Sequence, residues 1–211
     1  MATEALDPIS PQYISDLISR SAIGARTSES QTHREMASGL SLPVGFKNSA
    51  DGIISTAING IVAASKSQVF MGINQQGRVV LLTTQGNPDS HLILRGGSQP
   101  NYDETSIKKA EAAMKAQGLV SSIIVDCSHG NSNKDYRQQP IVAEEVLKQR
   151  RAGNQSIIGI MLESNLFEGN QSSDLPKVQM KYGVSITDSC MNWDTKEDVL
   201  TMCDNYMRTA R

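Results

Sequence analysis

Aromatic residues are scarce, at 4% of 211 residues. The core must therefore be built from Ile, Val, Leu, Met and Ala. Cysteine is nearly as rare: Cys127, Cys190 and Cys203 are odd in number and form no CxxC pair. That count does not fit a disulfide scaffold, and a reducing, cytoplasmic setting is expected. No run reaches the roughly 18 apolar residues of a membrane span, so no membrane partner is expected. The opening MATEALDPIS has neither a basic head nor an apolar centre, so it does not read as a signal peptide. Neither sign of charge dominates: Lys and Arg total 20 and Asp and Glu 22. Nothing is basic enough to suggest a nucleic-acid partner.

What is present is a series of short apolar runs: AIGAR (22–26), VGFK (44–47), VFM (69–71), VVLLT (79–83), LILR (92–95), IIVDC (123–127) and IIGIM (157–161). Most lack strict alternation, which suits strands covered on both faces in a parallel sheet. Helical segments are expected between them: DLISR after PISPQY, ESQTHREMASG, DGIISTAINGIVAA, ETSIKKAEAAMKAQG, QQPIVAEEVLKQRRAG and DTKEDVLTMCDNYMR. Gly39 and Gly118 stand where helices should stop, and Asp194 with Thr195 where the last should begin. VFMGI and RVVLLT are too close for a crossover helix, so they predict an antiparallel hairpin. The fold class expected is α/β: an incomplete or modified (β/α)8 TIM barrel, or a related open sheet, with an inserted β-hairpin and one domain over 1–211. Six barrel strands can be counted if MATEAL is the tail of one, whereas a full barrel has eight and typically about 250 residues. Either the barrel is open or something outside this chain completes it, as a homo-oligomer or a complementing chain.

Charged groups recur at the strand ends. AIGAR ends on Arg26, VGFK on Lys47, and LILR on Arg95 before Gly96 and Gly97. IIVDCSH delivers His129, IIGIMLES delivers Glu163, and YGVSITDSC adds Asp188. The carboxyl ends of parallel strands form the active face of such folds. Arg26, Lys47 and Arg95 suit a small anionic substrate bearing phosphate or carboxylate. His129, Glu163 and Asp188 offer nitrogen and oxygen donors to a divalent metal such as manganese, iron, cobalt or zinc. Lys47, Arg26, Arg95 and His129 are the candidates for direct catalytic roles. Asp126 is expected to orient His129 or Lys47. Cys127, Cys190, Met71 and Met161 read as core, Trp193 as a packing anchor, and His33 as a surface residue.

Five blocks carry a more specific pattern: GARTSESQTHREMASGLSLPVGFKN, HLILRGG, IVDCSHGNSNKD, MLESNLFEGNQ and YGVSITDSCMNW. They resemble 3-deoxy-D-arabino-heptulosonate 7-phosphate (DAHP) synthases of the microbial aromatic-sensitive type, most of all the fungal branch. The resemblance implies a (β/α)8 barrel that condenses phosphoenolpyruvate with erythrose 4-phosphate in aromatic amino acid biosynthesis, using a divalent metal. Arg26, Lys47 and Arg95 match residues that hold phosphoenolpyruvate, and Glu4 matches a polar residue of that pocket. His129, Glu163 and Asp188 match three of the four metal ligands. The 69–83 hairpin matches a regulatory insertion.

The departures bear on activity. The family's fourth ligand is a cysteine in a GPCSIHD segment, and further substrate contacts come from an EKPRTT segment; neither segment occurs here. The family's KNGTDG reads KNSADG at 47–52. The chain reads as an N-terminally truncated relative. Three functions follow: a divergent metal-dependent enzyme, transferase or lyase, acting on a phosphorylated or carboxylated small molecule; the parental condensation restored by assembly; or a non-catalytic binding relative.

Overall fold

The runs VGFK, HLIL and IIVD are almost wholly buried, as strands covered on both faces are. The computed structural model describes residues 1–74 and 76–208. They fall into two compact units, one of residues 1–94 and 109–123, the other of residues 95–108 and 124 onward.

The first unit holds strands β1 (Ala2–Glu4), β2 (Arg20–Ile23) and β3 (Val44–Lys47), helices α1 (Pro11–Ile14), α2 (Gln31–Gly39) and α3 (Ser55–Ala64), hairpin strands β4 (Val69–Ile73) and β5 (Val79–Thr83), and strand β6 (His91–Leu94). β1, β2, β3 and β6 pair in parallel in that order, with Thr3 opposite Ser21, Ala22 opposite Gly45, and Phe46 opposite Leu92. Ile23, Val44, Phe46, Leu92 and Ile93 are wholly buried. Each such side chain contributes about 1.5–3 kcal/mol when removed from water. This explains why the runs do not alternate: both faces of the sheet are covered.

The chain continues through α4 (Glu104–Ala116), which contributes residues to both units, and β7 (Ile123–Asp126). The second unit adds α5 (Gln139–Arg151), β8 (Ile157–Met161) and α6 (Trp193–Arg208). β7 neighbours β8, and the Cys127 N–H donates to the Met161 carbonyl at 2.8 Å. Val125, Val142, Val146, Met191 and Val199 build this unit's core. The fold class is α/β, an incomplete (β/α)8 barrel pattern with an inserted hairpin, whose six parallel strands alternate with helices.

The hairpin is antiparallel, with Met71 opposite Leu81. Its period-two alternation puts Phe70 and Leu82 on one face and Val69, Met71, Val79 and Leu81 on the other, where they are exposed. Met71 is therefore not a core residue. Position 75, in the connector, lies outside the described residues. Three other expectations are revised. DLISR is not helical, because α1 ends at Ile14 and the chain enters β2 at Arg20, after the Ser19 N–H has bonded to the Met1 carbonyl. Residues 182–188 form no strand, only isolated bridges such as Asn170 with Ser185. Trp193 is 53% exposed, with Lys196 Nζ 3.2 Å from its ring centroid, so it is not a buried anchor. α6 begins one residue early because the Asn192 side chain caps the Thr195 N–H at 2.8 Å.

Candidate metal centre and anion-binding residues

β7 ends on Asp126, whose carboxylate is wholly buried. A buried acid must be paired, and three groups meet it. The Ser128 N–H donates to Asp126 Oδ1 at 3.0 Å, and Ser128 Oγ donates to the same oxygen at 2.6 Å. His129 Nδ1 lies 3.0 Å from Asp126 Oδ2 and 2.8 Å from Ser128 Oγ. The proton therefore sits on Nδ1, which leaves the Nε2 lone pair to face outward. His129 adopts a left-handed backbone with φ 54°, uncommon for a residue with a side chain.

Nε2 faces Glu163 Oε1 at 3.4 Å and Asp188 Oδ2 at 3.5 Å. One donor atom from each of the three residues lies within 4.8 Å of the others. A metal with ligands at about 2.0–2.2 Å and roughly 90–110° apart needs donor atoms about 3.0–3.6 Å from one another. The donor types suit a divalent cation, and both separations from His129 Nε2 fall within this range. Two carboxylates converging on one imidazole nitrogen also call for a positive charge between them.

The three candidate ligands come from different kinds of backbone. Glu163 follows the end of β8 and is held by Gln139 at the start of α5: its N–H donates to Gln139 Oε1 at 2.8 Å, and its carbonyl accepts from Gln139 Nε2 at 3.1 Å. The same carbonyl accepts from the Met191 N–H at 3.0 Å. Asp188 is 56% exposed at its side chain, three residues before Met191. Sequence reading placed it at a strand end; it belongs to a loop.

Arg95 is the first residue after β6, and its loop is locked to that of His129. The Gly130 N–H donates to the Arg95 carbonyl at 3.1 Å. The Asn101 side chain accepts from the Gly96 N–H, the Asn131 side chain accepts from the Asn101 N–H, and Asn131 Nδ2 donates to the Asp126 carbonyl, each at 2.8 Å. Gly96 is essential to this approach: its φ is +70°, and a Cβ there would stand 2.6 Å from the Asn131 nitrogen.

The remaining candidates lie in the first unit. Lys47 is the last residue of β3 and half-buried. Arg26 is exposed in a turn beyond β2, which ends three residues earlier than AIGAR suggested. Ser28, wholly buried, ties this turn to β3 by donating to the Gly24 carbonyl at 3.1 Å and the Lys47 carbonyl at 2.7 Å. Glu4 ends β1, and its carboxylate occupies the space that a Cβ at Gly24 would fill. His33 pairs with Ser30 Oγ at 2.7 Å and the Leu6 carbonyl at 3.2 Å, which tethers the segment after β1.

Sequence reasoning did not find Ser28, Ser128, Asn131 or Gln139. Ser128 stands between two residues already singled out; nothing local marks the others. Cys127 is wholly buried, and burial together with the Asp126 charge raises its thiol pKa far above the ordinary value. Burial also raises Cys190. Neither thiol is poised as a thiolate ligand.

Comparisons with known proteins bear on the family. Over 200 residues the chain is 62% identical to the phospho-2-dehydro-3-deoxyheptonate aldolase, Tyr-sensitive, of Escherichia coli, covering 95% of this chain and 56% of that protein. It is 49% identical over 216 residues to the tyrosine-inhibited phospho-2-dehydro-3-deoxyheptonate aldolase of Candida albicans, covering 100% of this chain and 58% of that one. Relatives thus lie on both the bacterial and the fungal branch. The structure of the phospho-2-dehydro-3-deoxyheptonate aldolase from Francisella tularensis superposes with a TM-score of 0.94 at 39% identity, over 100% of this chain and 61% of that one. The chain therefore spans a little over half the length of these three relatives. The profile described as the DAHP synthetase I family matches residues 1–201. The chain belongs to the DAHP synthetase I family.

Proposed function

We propose that this chain binds a divalent metal through His129, Glu163 and Asp188, and that Arg95, Arg26, Lys47 and Glu4 are its phosphoenolpyruvate-binding residues. It thereby carries the enolpyruvate half of the family's condensing chemistry, on a single partial-barrel domain in the cytoplasm. The observation that carries this reading is the convergence of three donor atoms on one point, with Asp126 fixing the imidazole tautomer. When bound, the metal supplies Lewis acidity toward a carbonyl oxygen. Arg95 supplies a planar fork for phosphate or carboxylate, and Lys47 a point charge. The loop network from Asp126 to Gly96 keeps Arg95 in register with His129.

The parental condensation with erythrose 4-phosphate is favoured over a repurposed reaction by the 62% identity to a named synthase-type aldolase. It is also favoured over a non-catalytic role, since a merely structural relative has no use for a strained, tautomer-fixed histidine facing two acids. The GPCSIHD and EKPRTT segments are not in this sequence. The complete reaction would then need those groups from a chain that carries them.

Calorimetric titration with phosphoenolpyruvate tests the reading. Binding is expected in the presence of Mn²⁺ and at least tenfold weaker in Arg95→Met. Metal-independent binding, or binding unchanged in Arg95→Met, would overturn it. Phosphoenolpyruvate binding without heptulosonate phosphate formation, even with a chain bearing the absent segments, would favour the repurposed activity.

A further inference from the structure

Gln139 has a function that no catalytic or ligand role explains. It is the first residue of α5 and wholly buried, although helix starts normally expose such side chains. Both ends of its amide are spent on the backbone of one residue, Glu163: Oε1 accepts the N–H at 2.8 Å and Nε2 donates to the carbonyl at 3.1 Å. This reproduces with a side chain the pair of bonds that a neighbouring strand would make. Glu163 lies two residues beyond the last residue of β8, beside the isolated parallel bridge of Ser164 with Met191.

We infer that Gln139 is a positioning residue for the metal centre: its amide clamps the Glu163 backbone so that the carboxylate meets His129 Nε2. The inference rests on the metal-binding reading proposed above. Its geometry is stringent. A carboxylate on a free loop would sweep a range of positions, whereas here Oε1 stands 3.4 Å from Nε2. The Met191 N–H bonds to the same Glu163 carbonyl, so the backbone that the amide holds also joins the segment bearing Asp188, which has further anchors of its own at Gly169 and Asn170. Groups of this kind commonly set metal affinity by roughly 10–100-fold.

Gln149 provides an internal control. It lies on the same helix, is also buried, and donates from Nε2 to the Tyr102 carbonyl at 2.9 Å, without contact to a ligand residue. The experiment compares Gln139→Met and Gln149→Met by two measurements. Amide hydrogen exchange at Glu163, without metal, reports the clamp. Mn²⁺ titration followed by electron paramagnetic resonance reports the site.

Both substitutions should lower the melting temperature. Only Gln139→Met should speed Glu163 exchange, by at least tenfold, and weaken Mn²⁺ by about 10–100-fold. If Gln139→Met does not fold, Gln139→Glu keeps the acceptor for the Glu163 N–H and loses the donor, and an intermediate loss of affinity is expected. Unchanged Glu163 exchange would overturn the clamp. Faster exchange with unchanged Mn²⁺ affinity would reduce Gln139 to a structural residue. Equal loss of affinity in Gln149→Met would show a general stability effect instead. Failure of the parent chain to bind Mn²⁺ while Glu163 stays protected would refute the metal reading, and with it the positioning role.

Discussion

His129 shows how much one residue depends on its neighbours. Its ring is placed by a strained backbone, its tautomer by Asp126 and Ser128, and its free nitrogen by the two acids opposite. Asp126→Asn should therefore act out of proportion to its size. The Ser128 N–H and Oγ both donate to Asp126 Oδ1, so an asparagine would turn its oxygen toward them and its NH2 toward His129. The imidazole would then carry its proton on Nε2, where it cannot ligate. Mn²⁺ affinity is expected to fall by roughly 10–100-fold with little change in the fold. The imidazole ¹⁵N shifts should report the tautomer directly. Unaltered shifts with unaltered affinity would show that Asp126 plays no orienting part.

At the scale of elements, the sequence and the structure agree where burial dictates the pattern. VGFK, LILR and IIVDC were legible because their side chains are covered on both faces or close to it, and IIGIM as an apolar run although Ile158 is exposed. The hairpin was legible because its connector was too short for anything else. Arg26 and Asp188 were legible as charged groups but not in their backbone setting, since a three-residue overrun or a loop leaves no periodicity to read. Gln139 and Ser28 were illegible because their partners are main-chain atoms distant in sequence. A pairing on the parallel sheet was missed for the same reason. His91, the first residue of β6, is 3% exposed and accepts from the Arg20 guanidinium of β2 at 2.8 Å. Burial, with the Arg20 charge added, lowers its pKa to about 4 from 6.5. A depressed folded value means that the unfolded chain binds the proton more readily. The neutral imidazole thus contributes stability that is complete above about pH 6.5 and lost as pH falls toward 4, up to about 3 kcal/mol. Urea unfolding at pH 7.5 and pH 5 should show this loss, and it should shrink in His91→Gln, which accepts a hydrogen bond but does not titrate. An equal loss in both proteins would assign it to other groups.

At the scale of the whole molecule, family membership and half-length coverage pull in different directions. Glu4, Arg26, Lys47, Arg95, His129, Glu163 and Asp188 are present, the GPCSIHD and EKPRTT segments are not in the sequence, and the three relatives named above are longer by more than a third of their length. Both facts are accommodated if metal and anion binding are local properties of the loops described above, and condensation is not. No helix among the described residues is long and apolar enough to cross a membrane. The central claim is that His129, Glu163 and Asp188 hold a divalent ion. Mn²⁺ titration of the purified chain, followed by electron paramagnetic resonance, tests it most directly. One tightly bound ion per chain is expected, with affinity in His129→Ala falling by more than the roughly 10–100-fold that loss of an orienting partner costs. No stoichiometric binding, or binding that survives His129→Ala unchanged, would contradict it.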